Sequence, residues 1–357
     1  MKKVILSTMI ISSSLLSFGQ SAIKYPATKK IDKVDVYFGN SIPDSFRWLE
    51  DDRSAETAEW VKEQNKVTFD YLAAIPFRNT IKARMEKLWN YEKVSAPFKE
   101  GDYTYYYKNN GLQNQSVMYR KDAKGTEELF LDPNTFSKDA TTSLDGVSFS
   151  KDGSLVAYSI SEAGSDWRKV IFIDAKTKQS IGEPLVDVKF SGLSWKGNEG
   201  IFYSSYEKPK GSELSAKTDQ HRLFFHKLGT KQAEDAILFG DQEKRRYVGG
   251  YVSDDNRYLF ISAANSTSGN ELYLKDLSVP NSPIVAIHKG FEYDVDVLDN
   301  IGTTLFIVTN LKAPNKRIVT VDVANPGVEN WKDLIPETEQ VLNPSTGAGY
   351  IFANYMK

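Results

Sequence analysis

At 357 residues the chain has room for one large domain or two ordinary ones, and 40% hydrophobic with 26% charged residues is the mix of a globular protein able to bury a core. Lys and Arg number 45 against 47 Asp and Glu, a formal net charge of -2, so no general field favours nucleic acid or an anionic membrane as partner. Cysteine is absent, which excludes disulfides, thiolate metal sites, a cysteine nucleophile and lipoprotein attachment.

Lys2 and Lys3 precede an uncharged run from Val4 to Phe18 that ends in Ser17-Phe18-Gly19. The small residues at the first and third of these places fit a leader-peptidase site before Gln20, and the run is shorter than the roughly 20 apolar residues a spanning helix needs. Residues 1–19 therefore read as a signal peptide and the mature protein as periplasmic or secreted, free of the membrane after cleavage. Ile23 to Asp52 reads as an extended lead-in with Pro26 and Pro43. Ser54 is placed to cap a helix carrying Ala58, Val61, Thr68 and Leu72, and after Pro76 a second helix begins near Asn79 with Ile81, Met85, Leu88 and Trp89 on one face. Two such stripes cannot both be buried against each other alone, so residues 20–98 are expected to dock on a further domain.

From Lys99 the period switches to strands, and residues 99–357 read as one all-β domain. Tyr103 to Lys108, Ser116 to Arg120 and Glu128 to Leu131 form a first sheet. Asp145 to Trp167 holds the clearest hairpin: Val147 and Phe149 alternate with small polar residues, Lys151-Asp152-Gly153-Ser154 turns, and Leu155 to Ile160 runs back. Lys169 to Asp174 continues that second sheet, and Val188 to Trp195 is expected to open a third, completed by Ile201 to Tyr206 and Arg222 to Lys227. Glu207 to Gln220 reads as a long polar loop. Tyr247 to Ser262 with Glu271 to Asp276 gives a fourth sheet, Asp294 to Thr309 with Arg317 to Val323 a fifth, and Gly349 to Tyr355 opens a sixth. The inner-strand signal returns about every 45 to 60 residues, the interval of a four-stranded propeller blade. A propeller closes by packing its last blade on its first, so a chain that stops inside a blade reads as a fragment.

Conventional chemistry is sparse. Of the three histidines, His221 and His226 are an odd number of residues apart, on opposite faces of a strand, so structural or surface roles are expected rather than shared metal coordination. No Gly-x-Ser-x-Gly elbow, phosphate loop, His-Glu-x-x-His or Gly-x-Gly-x-x-Gly occurs, and no metal or cofactor is implied. The acidic turns at Asp152 and Asp254-Asp255 are read as Asp bonding its own backbone, and Lys244-Arg245-Arg246 as a solvated loop. Val188 and Phe190 are expected to share a strand face toward the core or the propeller axis.

Six stretches occur in the order seen in prolyl oligopeptidases: Arg47-Trp48-Leu49-Glu50-Asp51-Asp52, Gly111-Leu112-Gln113-Asn114-Gln115, Phe130-Leu131-Asp132-Pro133-Asn134, Gly164-Ser165-Asp166-Trp167, Val188-Lys189-Phe190-Ser191 and His226-Lys227-Leu228-Gly229-Thr230. The chain resembles that family, in its exported bacterial form, over essentially everything after the leader. One departure is Asp44-Ser45-Phe46, where the family usually has Asp-Pro-Tyr, which bears on a local turn.

The resemblance implies a mainly β fold, an incomplete seven-bladed propeller of about five blades plus the start of a sixth. It also implies that the helical segment packs on an α/β-hydrolase domain whose C-terminal part is missing here. The family's serine, aspartate and histidine all lie in that part, so no catalytic residue is placed in this chain. Phe190 matches an aromatic of the substrate pocket. Val248 and Ala264 fall where some relatives place a larger apolar residue and an arginine, which implies less charge-assisted peptide binding on that side. Asp166 is implied at the domain interface, with a simple turn role as its rival. The expected function is the substrate-gating portion of a serine-type prolyl endopeptidase acting on short proline-containing peptides, with this chain inactive alone. The alternative is a stand-alone propeller that binds peptide, glycan or protein, and its exposed sheet edges argue against it. A sialidase-like hydrolase lacks its repeated Asp boxes here.

Overall fold

The computed structural model describes residues 23–209 and 218–356. The leader reading over residues 1–19 and the middle of the Glu207 to Gln220 loop lie outside the described residues. The chain divides into two compact units, Met1–Ala83 and Arg84–Lys357.

In the first unit the lead-in is not simply extended. Val34–Tyr37 (β1) and Asn40–Pro43 (β2) form a hairpin over Phe38 and Gly39, with φ of 50° and 80°. Two left-handed residues in succession make the turn whose twist matches paired strands, a signal that Phe at the first position conceals in the sequence. Arg47 holds the hairpin to the following turn by pairing with both Asp35 and Asp44. Helix α1, Ala55–Ala73, begins where expected: the Ser54 hydroxyl accepts from the Thr57 N–H at 3.1 Å. Helix α2, Arg78–Trp89, runs across the boundary into the second unit, and its stripe of Ile81, Met85, Leu88 and Trp89 is exposed.

The second unit is a succession of antiparallel sheets. In the first, Lys93–Val94 (β3) and Phe98–Glu100 (β4) both pair with Tyr103–Asn109 (β5), followed by Val117–Lys121 (β6) and Glu127–Leu131 (β7). β3 and β4 are one inner strand interrupted near Pro97, which has no N–H to donate to the ladder. The second sheet runs Thr142–Phe149 (β8), Leu155–Glu162 (β9), Trp167–Asp174 (β10) and Leu185–Lys189 (β11). The third is Ser194–Lys196 (β12), Gly200–Ser205 (β13), Arg222–Lys227 (β14) and Ala236–Phe239 (β15). The fourth is Tyr247–Val252 (β16), Tyr258–Ala264 (β17), Glu271–Asp276 (β18) and Val285–His288 (β19). The fifth is Val295–Ile301 (β20), Thr304–Thr309 (β21), Arg317–Asp322 (β22) and Lys332–Ile335 (β23). Val341–Gly347 (β24) and Tyr350–Met356 (β25) form a last hairpin.

This is the mainly β, incomplete propeller anticipated, with two boundaries moved. Val188 to Trp195 does not open the third sheet: β11 closes the second and β12 opens the third, because left-handed backbone at Phe190 breaks the strand between them. The final sheet opens at Val341 rather than Gly349, since Asn343, Pro344 and Ser345 mask a strand whose Leu342 is fully buried.

Adjacent sheets pack face to face, each pair sharing one apolar core. Tyr105, Met118 and Phe130 meet Val156 and Ile173 between the first and second sheets. Val170, Phe172 and Leu185 meet Trp195 and Ile201 between the second and third, and Phe202 and Leu223 meet Val248, Leu259 and Ile261 between the third and fourth. Among the described residues, eleven buried ones fill the core between the fourth and fifth sheets, whereas the core that the fifth sheet shares with the last hairpin has Val308, Ile318 and Leu342. Burying each large apolar side chain contributes about 1.5–3 kcal/mol, so the inner joints dominate cohesion.

Antiparallel order gives each sheet two edges. One carries the tight turn between its first and second strands, which we call the turn edge; the other carries the start of the first and third strands and the end of the second and fourth, the front edge. On the turn edge Asp152 accepts from the Ser154 N–H at 2.9 Å and the Ser150 hydroxyl at 2.8 Å, and Asp255 from the Ser253 hydroxyl at 2.6 Å and the Arg257 N–H at 3.1 Å. Their second oxygens accept from the amides of Asn198 and Asn300, each in the next sheet, at 2.7 and 2.8 Å. The acidic turns thus bond their own backbone, as expected, and also brace neighbouring sheets.

Candidate functional site

All four residues singled out in the sequence lie on the front edge. Asp166 immediately precedes β10, Phe190 immediately follows β11, Val248 is the second residue of β16 and Ala264 the last of β17. Phe190 does not share the face of Val188. Asp187 and Phe190 have φ of 55° and 52°, which breaks the pleat on both sides of Val188-Lys189. Val188 and Lys189 are consequently both buried, and Phe190 is 49% exposed. Left-handed backbone at a bulky residue is uncommon, and such strain concentrates at ligand sites.

The exposed ring is supported from beneath. Its centroid lies 6.2 Å from that of Tyr206, edge to face, and 6.1 Å from that of Tyr247. Trp167 extends the aromatic floor: the Lys189 ammonium is 4.9 Å from the Trp167 ring and 5.1 Å from that of Phe190. Lys208 pairs with Asp187 at 2.7 Å, and Arg246 lies over Tyr247 at 5.5 Å. The floor is therefore aromatic with a cationic border, a surface suited to an apolar ring attached to polar backbone.

At its centre stands His221, completely buried. Its Nδ1 accepts from the Val248 N–H at 2.8 Å, its Nε2 donates to the Lys189 carbonyl at 2.9 Å, and its ring stacks on Tyr206 with centroids 4.2 Å apart. Burial lowers its pKa from 6.5 to about 4, against the opposing pull of the Lys189 carbonyl. Burial also pushes the Tyr206 phenol up to about 12, and that hydroxyl donates to the Arg246 carbonyl.

The structure brings Phe190 and Val248 together through this ring, but in different capacities. Val248 is 1% exposed, with its side chain in the core between the third and fourth sheets, and it meets the site through its N–H. Ala264 is partly exposed and is the cross-strand partner of Tyr247. Asp166 is exposed beside Trp167. The Lys244-Arg245-Arg246 stretch is not merely solvated: Arg245 pairs with the buried Glu271 at 2.7 Å and with Glu243, and Glu271 holds its pKa up.

His226, by contrast, belongs to the core. Its Nδ1 lies 2.9 Å from the buried Asp235 carboxylate, and its ring stacks on Phe172. Among the described residues no three His, Asp or Glu side chains gather as metal ligands would. Sequence reasoning did not place Trp167, Lys189, Tyr206, His221 or Tyr247 in the site. The available signal was positional: each sits at the end of an apolar strand run, where an aromatic or basic residue interrupts alternation.

A family profile described as the prolyl oligopeptidase N-terminal β-propeller domain matches residues 26–357. The chain is 57% identical over 339 residues to the prolyl endopeptidase of Elizabethkingia meningoseptica, across 94% of this chain and 48% of that relative. It is 31% identical over 353 residues to prolyl oligopeptidase A of Amanita bisporigera, across 88% of this chain and 46% of the relative. Among solved structures, prolyl oligopeptidase B of Galerina marginata bound to a 35mer hydrolysis and macrocyclization substrate is similar with a TM-score of 0.77 at 26% identity, across 93% of this chain and 51% of that one. The chain spans about half the length of the curated relatives it matches.

Proposed function

The chain belongs to the family of prolyl oligopeptidase N-terminal β-propellers, and from that premise we propose that it is the substrate-gating portion of a prolyl endopeptidase, which cuts short peptides after proline. The observation that carries this reading is the half-exposed ring of Phe190 at the front edge, held on a floor of Tyr206, Tyr247 and Trp167. A proline ring offers a flat apolar face without an N–H, so aromatic faces can pack against it with no donor left unpaired. The cationic border of Lys208 and Arg246 supports approach by the carbonyl-rich backbone of an extended peptide. Ala264 and the inward side chain of Val248 leave that side of the floor small and uncharged.

Hydrolysis by this mechanism needs a His-activated serine, an acyl-enzyme and backbone donors for the oxyanion. No Gly-x-Ser-x-Gly elbow occurs in the 357 residues, so the portion in hand supplies binding and gating rather than bond cleavage. The exposure of Asp166 at the front edge supports its reading as a domain-interface residue. The leader reading over residues 1–19 supports a periplasmic or secreted location for the enzyme.

The test measures binding and turnover together. The chain is expected to leave a proline-linked chromogenic peptide intact and to bind a short proline peptide with a change in tryptophan emission. Phe190→Ala should weaken that binding roughly tenfold, about 1.4 kcal/mol. Turnover sensitive to a serine-directed phosphonate would overturn the gating role, and undiminished binding by the variant would overturn the site.

A further inference from the structure

We propose that His221 is the positioning residue of the peptide site: its neutral ring ties the strand end that bears Phe190 to the strand start that bears Val248, and so fixes the aromatic floor. The proposal rests on the peptide-binding reading above. Its geometry does not.

The two partners of the ring dictate its state. A backbone carbonyl can only accept and a backbone N–H can only donate, so the proton must sit on Nε2, facing Lys189, with the lone pair of Nδ1 facing Val248. One ring thereby joins the last strand of the second sheet to the first strand of the fourth, from a residue at the head of the third sheet's β14. The His221 N–H donates to the Arg245 carbonyl at 2.8 Å, so the residue is anchored at its own backbone too. Stacking on Tyr206 then sets the height of the ring on which Phe190 rests. Few side chains supply a donor, an acceptor and a flat face together.

Protonation would place an N–H against the Val248 N–H and break one of the two ties. Charged groups reach the surroundings of the ring from three elements. β11 contributes Lys189 and Asp187, the latter paired with Lys208. β14 contributes Arg222, beside Asp241 at 3.5 Å. The segment before β16 contributes Arg245, paired with Glu243 and Glu271, and Arg246, while the rings of Tyr206 and Tyr247 lie at the site. Each of these carboxylates is thus paired with a cation, Glu243 and Glu271 sharing Arg245, and burial holds the imidazole neutral down to about pH 4.

Two variants of the full chain separate positioning from bulk stability. His221→Gln keeps one donor and one acceptor on an amide; His221→Phe keeps the flat ring and loses both bonds. Binding of a short proline peptide should weaken roughly tenfold in H221F and stay within about threefold of wild type in H221Q. As pH falls from about 6 toward 4, wild-type affinity should decline more steeply than that of H221Q, with near-ultraviolet circular dichroism confirming the fold at each pH. Hydrogen exchange should show the Val248 N–H protected in wild type and H221Q and released in H221F. Equal peptide affinity in H221F and wild type, or H221Q as weak as H221F, overturns the proposal. If the wild type binds no peptide, the peptide-site reading fails, and Val248 protection with the nitrogen-15 spectrum of the ring decides the tie alone: a proton on Nδ1 refutes it.

Discussion

The turn edge and the front edge of the same sheets are built by opposite means. On the turn edge, short hairpins end in Asp-Gly or Asp-Asn turns whose carboxylates bond their own backbone and an Asn of the next sheet. On the front edge the links are side chain to backbone across sheets, centred on His221, beneath a half-exposed phenylalanine with a left-handed backbone. The difference teaches where stability and where recognition are invested. Local bonds hold the turn edge whatever binds elsewhere, whereas the front edge holds exposed aromatic surface in a strained shape that only long-range contacts maintain.

This contrast can be broken from either side. The largest expected effect is on the turn edge: a Cβ at Gly153, where φ is 71°, would stand 2.4 Å from the Gly101 backbone nitrogen of the neighbouring sheet. Gly153→Ala should lower unfolding free energy by about 1–3 kcal/mol in urea titrations while a folded fraction still binds peptide. A smaller effect attends Asp152→Asn, about 1 kcal/mol, with peptide affinity unchanged. The Ser154 N–H, the Asn198 amide and the flanking serine hydroxyls hold the Asp152 carboxyl well below the usual carboxylate range. Its folded pKa is lower than its unfolded one, so its contribution is present above about pH 4 and is lost as pH falls further. Wild type should therefore lose stability more steeply than D152N over that acid range, and parallel curves would sever the carboxylate from the brace. The smallest effect on stability is expected at the front edge, where Phe190→Ala should stay within about 0.5 kcal/mol of wild type. A larger loss would make Phe190 a core residue and erase the distinction between the edges.

The linkage has the same sign at His221 for a different reason. Its folded pKa is depressed, so above about pH 6.5 both states are neutral there, and between about 6.5 and 4 only the unfolded state takes up the proton. Stability should fall with falling pH across that window, and the H221Q variant should lack this component in thermal melts.

Much of the fold was legible in the residues. Val147, Phe149 and Leu155 to Ile160 around Asp152-Gly153 define a hairpin because alternation and turn chemistry act within a few residues, and the same logic located strands in every sheet. Ser54 announced the first helix through a cap that is equally local. Phe38 and Pro344 hid two hairpins, since the first carries left-handed backbone without being Gly or Asn and the second is a poor strand former. The site was less legible: Phe190 and Asp166 were marked by resemblance, yet the strand period alone would have put Phe190 beside Val188 in the core.

By itself, then, the sequence determined the strands, their turns, the β-propeller architecture and the family, because these follow from short-range periodicity and from motifs in order. Tertiary structure alone decided that Phe190 turns outward, that Val248 contributes an N–H rather than a side chain, and that a histidine 27 residues before Val248 and 32 after Lys189 joins them. Those outcomes depend on which strand ends three adjacent sheets bring to one edge, and no local pattern encodes that meeting.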